Sequence, residues 1–235
     1  MAVRFSADGQ DYTRTLSLGS QSVYTIACWV KISTDRNTWS CAWNLDNGSA
    51  ADSIYMETLS DGTTMVVYRN DTGPPTGIAM TVGTWYYTCA VVNSTSLTVY
   101  YRAASAATLS NVTDSFSSSG NTLTTLRLGE SVYGAEWLNG CVQGFRLWTG
   151  IAMTADEALR ESHSQRPVHW GGLAAWYPLH TAETADYSGN GRTLSGGSGA
   201  TREDGPPIPW GRGNPSPRRF SPMVVPEFAG WGVPI

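Results

Sequence analysis

The chain has 235 residues, 41% of them hydrophobic but only 14% charged, and its formal net charge is −4. A chain of this length buries a core large enough to fold without disulfides or metal. The negative balance excludes a nucleic-acid binder that works by its overall field, and no continuous apolar window reaches the roughly 18 residues of a membrane span.

Ser and Thr, with 25 and 26 copies, take the place of charge beside 25 Gly, a balance that favours short strands and many turns over helices. Met1 to Asp8 holds no apolar stretch of signal-peptide length, so synthesis without export is expected. From Val23 to Ser33, Ile26, Cys28, Val30 and Ile32 share one face with Trp29 opposite, a period of two that predicts a strand. From Thr38 to Asp46 the same period puts Trp39, Cys41, Trp43 and Leu45 on one face. Trp85, Tyr87, Cys89 and Val91 alternate next, then Leu97 to Tyr101, and later Cys141 to Trp148. Asp46-Asn-Gly48, Asp61-Gly62, Thr72-Gly-Pro-Pro75 and Gly120-Asn121 punctuate these runs as turns. Strands at this spacing predict a β-sandwich or jelly roll.

One helix is expected. Thr154-Ala-Asp-Glu157 is a capping box, from which a helix should run to about His163. Leu173 to Leu179 resumes strand character, and Asp186-Tyr-Ser-Gly-Asn-Gly191 forms a tight turn before a last short strand. Composition then shifts. Residues 1–204 hold four prolines and residues 205–235 hold eight, so the expected division is a domain over 1–204 and an extended Pro/Gly-rich arm over 205–235.

Tyr24-Thr-Ile-Ala-Cys-Trp-Val-Lys31 resembles the early core strand of laminin-G-like, concanavalin-A-like jelly rolls. Gly83 to Val92 followed by Ser96 to Tyr101 resembles that family's central hairpin, and Leu126 to Gly129 with Leu138 to Trp148 its closing strands. The resemblance covers about residues 1–165 and implies an all-β sandwich of two antiparallel sheets with one short helix. Trp176-Tyr-Pro-Leu179 with Asp186 to Gly191, followed by a Pro-rich tail, looks like the laminin-G-like proteins encoded among bacteriophage structural genes.

Hydrolases on such a scaffold place paired carboxylates on alternate strand residues, with the two groups about 5–10 Å apart. No Glu-x-Asp or Glu-x-Glu occurs, and Glu57, Asp61, Glu130 and Glu136 read as isolated turn or surface residues. Gly196-Gly-Ser-Gly-Ala200 lacks the last glycine of a nucleophile elbow. His163, His169 and His180 read as polar surface residues, and the four cysteines show no zinc spacing. Those thiols are expected to be reduced and buried, with a disulfide as the alternative. Asp186, Ser188 and Asn190 offer three oxygens from one turn, which fits either calcium or plain Asx-turn chemistry. Tyr133, Trp137 and Trp170 are possible sugar platforms; most of the ten tryptophans fall on strand-alternating positions, where core packing is the default.

In the arm, Trp210, Phe220, Phe228 and Trp231 are anchors for a partner surface, and Arg218 and Arg219 can pair with acidic groups. The chain therefore reads as a non-enzymatic virion structural protein, a phage capsid decoration or head-associated protein. It would dock through its arm onto the major capsid or another virion protein, in many copies. The alternative is a carbohydrate-binding module on a tail or other host-facing appendage. Neither reading involves a membrane or nucleic acid.

Overall fold

The computed structural model describes residues 1–70, 77–116, 120–180 and 183–208. Its first strands are β1 (Ala2–Phe5), β2 (Tyr12–Thr15), β3 (Ser20–Gln21), β4 (Val23–Ile32), β5 (Cys41–Asp46), β6 (Ser53–Thr58), β7 (Thr64–Arg69) and β8 (Ile78–Ala79). There follow β9 (Tyr86–Asn93), β10 (Ser96–Ala103), β11 (Ser110–Ser115), β12 (Asn121–Thr122), β13 (Thr125–Leu128) and β14 (Gly140–Thr149). After helix α1 (Ala155–Ser162) come β15 (Leu173–Tyr177), β16 (Ser195–Gly196) and β17 (Thr201–Glu203).

Two large sheets form the sandwich. One has the order β11-β10-β9-β4-β14-β1-β17, with β15 also on β14; the other has the order β16-β2-β13-β5-β6-β7-β8. The fold is thus the all-β sandwich expected from the strand spacing. The alternation of β4 holds as written: Tyr24, Ile26, Cys28, Val30 and Ile32 enter the main core with Trp43, Leu45, Phe145 and Tyr177 between the sheets. Trp29 points the other way, joining Trp85, Tyr87, Cys89, Val91 and Trp148 on the outer face of the eight-stranded sheet.

Two β-bulges correct the simpler pattern. In β5 the register slips between Cys41 and Trp43, so Ala42, Trp43 and Leu45 enter the main core while Cys41 turns outward. Trp39 and Cys41 therefore do not share a face with Trp43 and Leu45, because the extra residue inverts the pleat. In β14 the slip falls between Gln143 and Arg146, at Gly144 with φ +64°. There the strand exchanges one edge partner for another: residues 140–142 pair with β1, and residues 145–148 pair with β15. Glycine suits the bulge because a side chain is strained at that φ.

Helix α1 covers the outer face of the eight-stranded sheet. Both halves of its capping box are present, with the Thr154 hydroxyl accepting from Glu157 N–H and the Glu157 carboxylate accepting from Thr154 N–H. Its other end rests on two arginines that stand out from the sheet. Arg146 Nη1 donates to Glu161 Oε2 at 2.7 Å and to the Glu161 carbonyl at 3.1 Å, and Nη2 donates to the Ser164 carbonyl at 2.6 Å. Arg102 Nε donates to Ser162 Oγ at 2.9 Å and Nη2 to the Ser162 carbonyl at 3.2 Å. These cations satisfy the unpaired carbonyls and negative pole of the helix C-terminus. The chain stays on this face past the expected boundary at residue 204, since Ile208 packs into the outer-face cluster at 7% exposure.

Candidate functional site

The outer face of the seven-stranded sheet carries the candidate site. One row of residues in register crosses it: Ser195, Thr13, Arg127, Asn44, Tyr55 and Tyr68, each opposite the next. Toward β7 this face becomes aromatic. Tyr55 and Tyr68 stack with centroids 5.1 Å apart and planes 16° apart, and Trp39 leans on Tyr68 at 6.2 Å. Tyr133 stands nearly perpendicular to Tyr55, 6.0 Å away. Together with Glu57 and Glu136 these four rings line an open cleft of about 190 Å³. That is below the roughly 300–1,000 Å³ of pockets that engulf a drug-sized ligand, so the cleft suits one ring or side group of a larger ligand.

Local chemistry builds each wall. The bulge in β5 turns Cys41 outward, where its N–H donates to the Glu136 carbonyl at 2.9 Å and the strand bridges to Trp137. This contact holds the 130–137 loop against the start of β5. Within the loop, Ser131 Oγ donates to Glu136 Oε2 and accepts from Tyr133 N–H at 3.0 Å. On the other side Thr58 N–H donates to the Ser40 carbonyl at 3.0 Å and Thr58 Oγ1 to the Thr38 carbonyl at 3.1 Å, which pins Trp39. Arg36 ties the two walls together, with Nη1 donating to the Trp137 carbonyl at 2.6 Å and to the Trp39 carbonyl at 3.4 Å and the guanidinium 3.8 Å over the Trp137 ring.

The electrostatics are acidic. Burial first, then the carboxylates of Glu57, Glu136 and Glu130, push the Cys41 thiol well above its ordinary value. Tyr55, Glu57 and Tyr68 are almost wholly buried, whereas Tyr133 is 47% exposed and forms the open lip. Beside Tyr55 in the row, the Asn44 side chain is fully buried, and neither its oxygen nor its nitrogen has a hydrogen-bond partner among the described residues.

Of the residues singled out from the sequence, the structure brings Tyr133 into the cleft and places Trp137 beneath Arg36 at its border. Trp170 lies elsewhere, edge-on to Trp176 with centroids 5.8 Å apart and planes at 86°. Glu57 and Glu136 are not separate turn or surface residues: Glu57 sits within β6, and the Cys41–Trp137 bridge brings Glu136 to the same cleft. Sequence reasoning gave Trp39 to the core face of its strand and passed over Tyr55 and Tyr68. The alternation of β6 and β7 was the one signal for these two, and it was masked because both strands are buried along nearly their whole length.

The turn at Asp186 has an internal use for its oxygens. Oδ1 accepts from Trp176 N–H at 3.1 Å and Ser188 N–H at 2.9 Å, while Oδ2 accepts from Arg192 N–H at 3.0 Å and Ser188 Oγ at 2.9 Å. Asn190 Nδ2 donates to the Leu173 and Ala174 carbonyls, so this Asx turn fastens the loop to β15. Among the described residues no group of three or more His, Cys, Asp or Glu is placed to hold a metal. Their four cysteines are all free and buried, and burial raises the thiols of Cys28 and Cys141 to about 12. Trp210, Arg218, Arg219, Phe220, Phe228 and Trp231 lie outside the described residues.

The sequence profile of the concanavalin A-like lectin/glucanases superfamily matches residues 6–158. No curated protein sequence matches the chain. Among solved structures, the native heptameric SAP-like pentraxin of Limulus polyphemus is similar with a TM-score of 0.52 at 15% identity, over 71% of this chain and 82% of that one. The CBM40 domain of the Ruminococcus gnavus IT-sialidase gives a TM-score of 0.51 at 12% identity, over 68% and 96%. The enzymatically active domain of bacteriophage CBA120 tailspike protein 2 gives 0.52 at 10% identity, over 71% of this chain but only 27% of that one. At these identities the likeness is one of fold.

Proposed function

The chain belongs to the concanavalin A-like lectin/glucanases superfamily, and from that premise we propose that it is a non-catalytic carbohydrate-binding domain. The observation that carries the reading is the outer-face cleft, where Trp39, Tyr55, Tyr68 and Tyr133 stand with Glu57 and Glu136. A sugar ring has an apolar C–H face and an equatorial belt of hydroxyls. An aromatic face covers the C–H face, and hydrogen bonds from the hydroxyls to charged acceptors contribute about 1.5–3 kcal/mol each. The cleft offers both kinds of partner side by side, and its size fits a grip on one residue of a longer glycan.

A glycan array probed with the full chain and with Trp39→Ala tests this. Saturable binding to a restricted set of glycans is expected, weakened at least about tenfold by the substitution. Bound glycans should be recovered uncleaved after prolonged incubation. A folded chain that binds nothing, or a Trp39→Ala variant that binds like the parent, rejects the reading.

For the setting we propose a host-facing appendage of a phage particle, supported by the use of this fold in a tailspike. Docking onto a capsid through residues 205–235 is the other proposal for the same particle. Its test is co-sedimentation of the full chain and a chain ending at Ile208 with particles lacking the protein. The cut belongs after Ile208 because a cut at 204 would also uncover the outer-face cluster. Equal binding by both chains would remove the arm from the account.

A further inference from the structure

The two large sheets end in four terminal strands, and three of these are very short: β17 has three residues, β16 and β8 two each. Shortness is one of the ways in which a sheet avoids pairing with another chain. The free side of β15 is covered by the turn after it, where Tyr187 N–H donates to the Trp176 carbonyl at 2.9 Å and Asn190 Nδ2 to the Ala174 carbonyl at 3.1 Å. The fourth terminal strand, β11, has neither protection. It runs six residues in unbroken register with β10, and no described strand lies beyond it. It carries no bulge, proline or lysine, the other devices that blunt an edge, and its one charge is Asp114.

The ladder decides which groups this edge offers. Phe116 N–H donates to the Thr95 carbonyl at 2.6 Å, so those two residues form a hydrogen-bonded pair. Hydrogen-bonded and non-hydrogen-bonded pairs alternate along an antiparallel ladder. Asp114, Val112 and Ser110 therefore turn their backbone groups toward β10, while Ser115, Thr113 and Asn111 turn theirs to the open side. The Ser115 N–H is taken by Asp114 Oδ1 at 2.8 Å. Asn111 and Thr113 are left with both groups open, two donors and two acceptors disposed evenly about Val112. Val112 packs against the main core, and the side chains of Asn111 and Thr113 are exposed on the opposite face.

We propose that β11 pairs antiparallel with β11 of a second copy of this chain, about a two-fold axis at Val112, joining the two eight-stranded sheets into one. Asn111 of each copy then exchanges both backbone hydrogen bonds with Thr113 of the other, and Val112 meets its equivalent in the close, non-hydrogen-bonded position between them. Asp114 faces the Ser110 hydroxyl of the other copy and not its own like charge. An axis at Thr113 would instead set Asp114 against Val112 and would need the Ser115 N–H that is already bonded. A second copy is the fitting occupant because an edge with equal donors and acceptors, symmetric about one residue, complements itself. The axis stands normal to the sheet, so the outer faces of both seven-stranded sheets, with their clefts, point the same way. The pairing stands without the carbohydrate reading; its consequence, bivalent capture of a glycan surface, rests on that reading.

Sedimentation velocity of the full chain tests the pairing without any glycan. A contact built on one strand pair belongs to the weak class, below about 1,200 Å², so dimer should accumulate as the chain is raised from about 5 to 500 µM. Asn111→Lys combined with Thr113→Lys sets lysines opposite one another in both central pairs and should keep the chain monomeric over the whole range. Both positions are exposed, so the far-UV circular dichroism and melting curve should match the parent. An equimolar mixture with a chain carrying Asn111→Glu and Thr113→Glu should restore the dimer, because each lysine then faces a glutamate. A parent chain that stays monomeric overturns the proposal. So does a dimer that survives the lysine substitutions, or one that the mixture fails to restore, because the contact would then lie elsewhere.

Discussion

Replacing Arg146 with Met is expected to lower the stability of the domain by about 3–5 kcal/mol, the cost of leaving one charge of a buried pair without its partner. Glu161 is fully buried, its Oε2 accepting from Arg146 and its Oε1 from the N–H groups of Val168 and His169 at 2.8 and 2.7 Å. Without the guanidinium the carboxylate keeps those two amides but loses its counter-charge in a site that water does not reach. The same change strips donors from the Glu161 and Ser164 carbonyls at the end of α1. The helix and the 163–169 segment should detach together, exposing Trp148 and Met153 beneath them. Chemical denaturation measures the loss, and a melting midpoint lower by about 6–20 °C should accompany it. Adding Glu161→Gln to the Met variant removes the stranded charge and should recover part of the stability. A single variant within 1 kcal/mol of the parent would falsify this account of how the helix is held.

That clamp was only half legible in the sequence. The capping box announced the start of α1 because its four residues are contiguous and their hydrogen bonds are local. Its end depends on Arg102, 60 residues before Ser162, and on Arg146 in the strand just ahead of the helix, and no local pattern marks them. The strands divide in the same way. Period two was sufficient for β4 and β9, whose ladder with each other is uninterrupted. It failed at β5, where one extra residue turns Cys41 outward. The same bulge explains why the site was hidden. Glu57 and Glu136 look unrelated until the out-turned Cys41 docks the 130–137 loop beside β6. Tyr133 was legible as an aromatic in a turn; its neighbours Tyr55 and Tyr68 sit in strands buried along nearly their whole length.

Tyr133 gives the clearest separation of binding from folding. Tyr55 and Tyr68 are 2% and 7% exposed and stack on each other, so removing either disturbs the sheet as well as the cleft. Tyr133 stands 47% exposed on its loop and meets Tyr55 by an edge. Tyr133→Ala should therefore change stability by no more than about 0.5 kcal/mol, as at other surface positions. Its effect on glycan affinity should be far larger. Truncating an aromatic anchor of a contact costs about 2 kcal/mol, close to a thirtyfold change in Kd. Trp170→Ala is the matching control, because Trp170 is 56% exposed yet packs on Trp176 at the outer face of the other sheet. If the cleft is the site, the tyrosine variant loses binding and the tryptophan variant keeps it, both with parental melting curves. The reverse result would move the sugar to the eight-stranded sheet. There Trp170, Trp176 and Tyr187 meet at angles of 86° and 59°. What favours the tyrosine is its place in a cleft where rings and the carboxylates of Glu57 and Glu136 stand together.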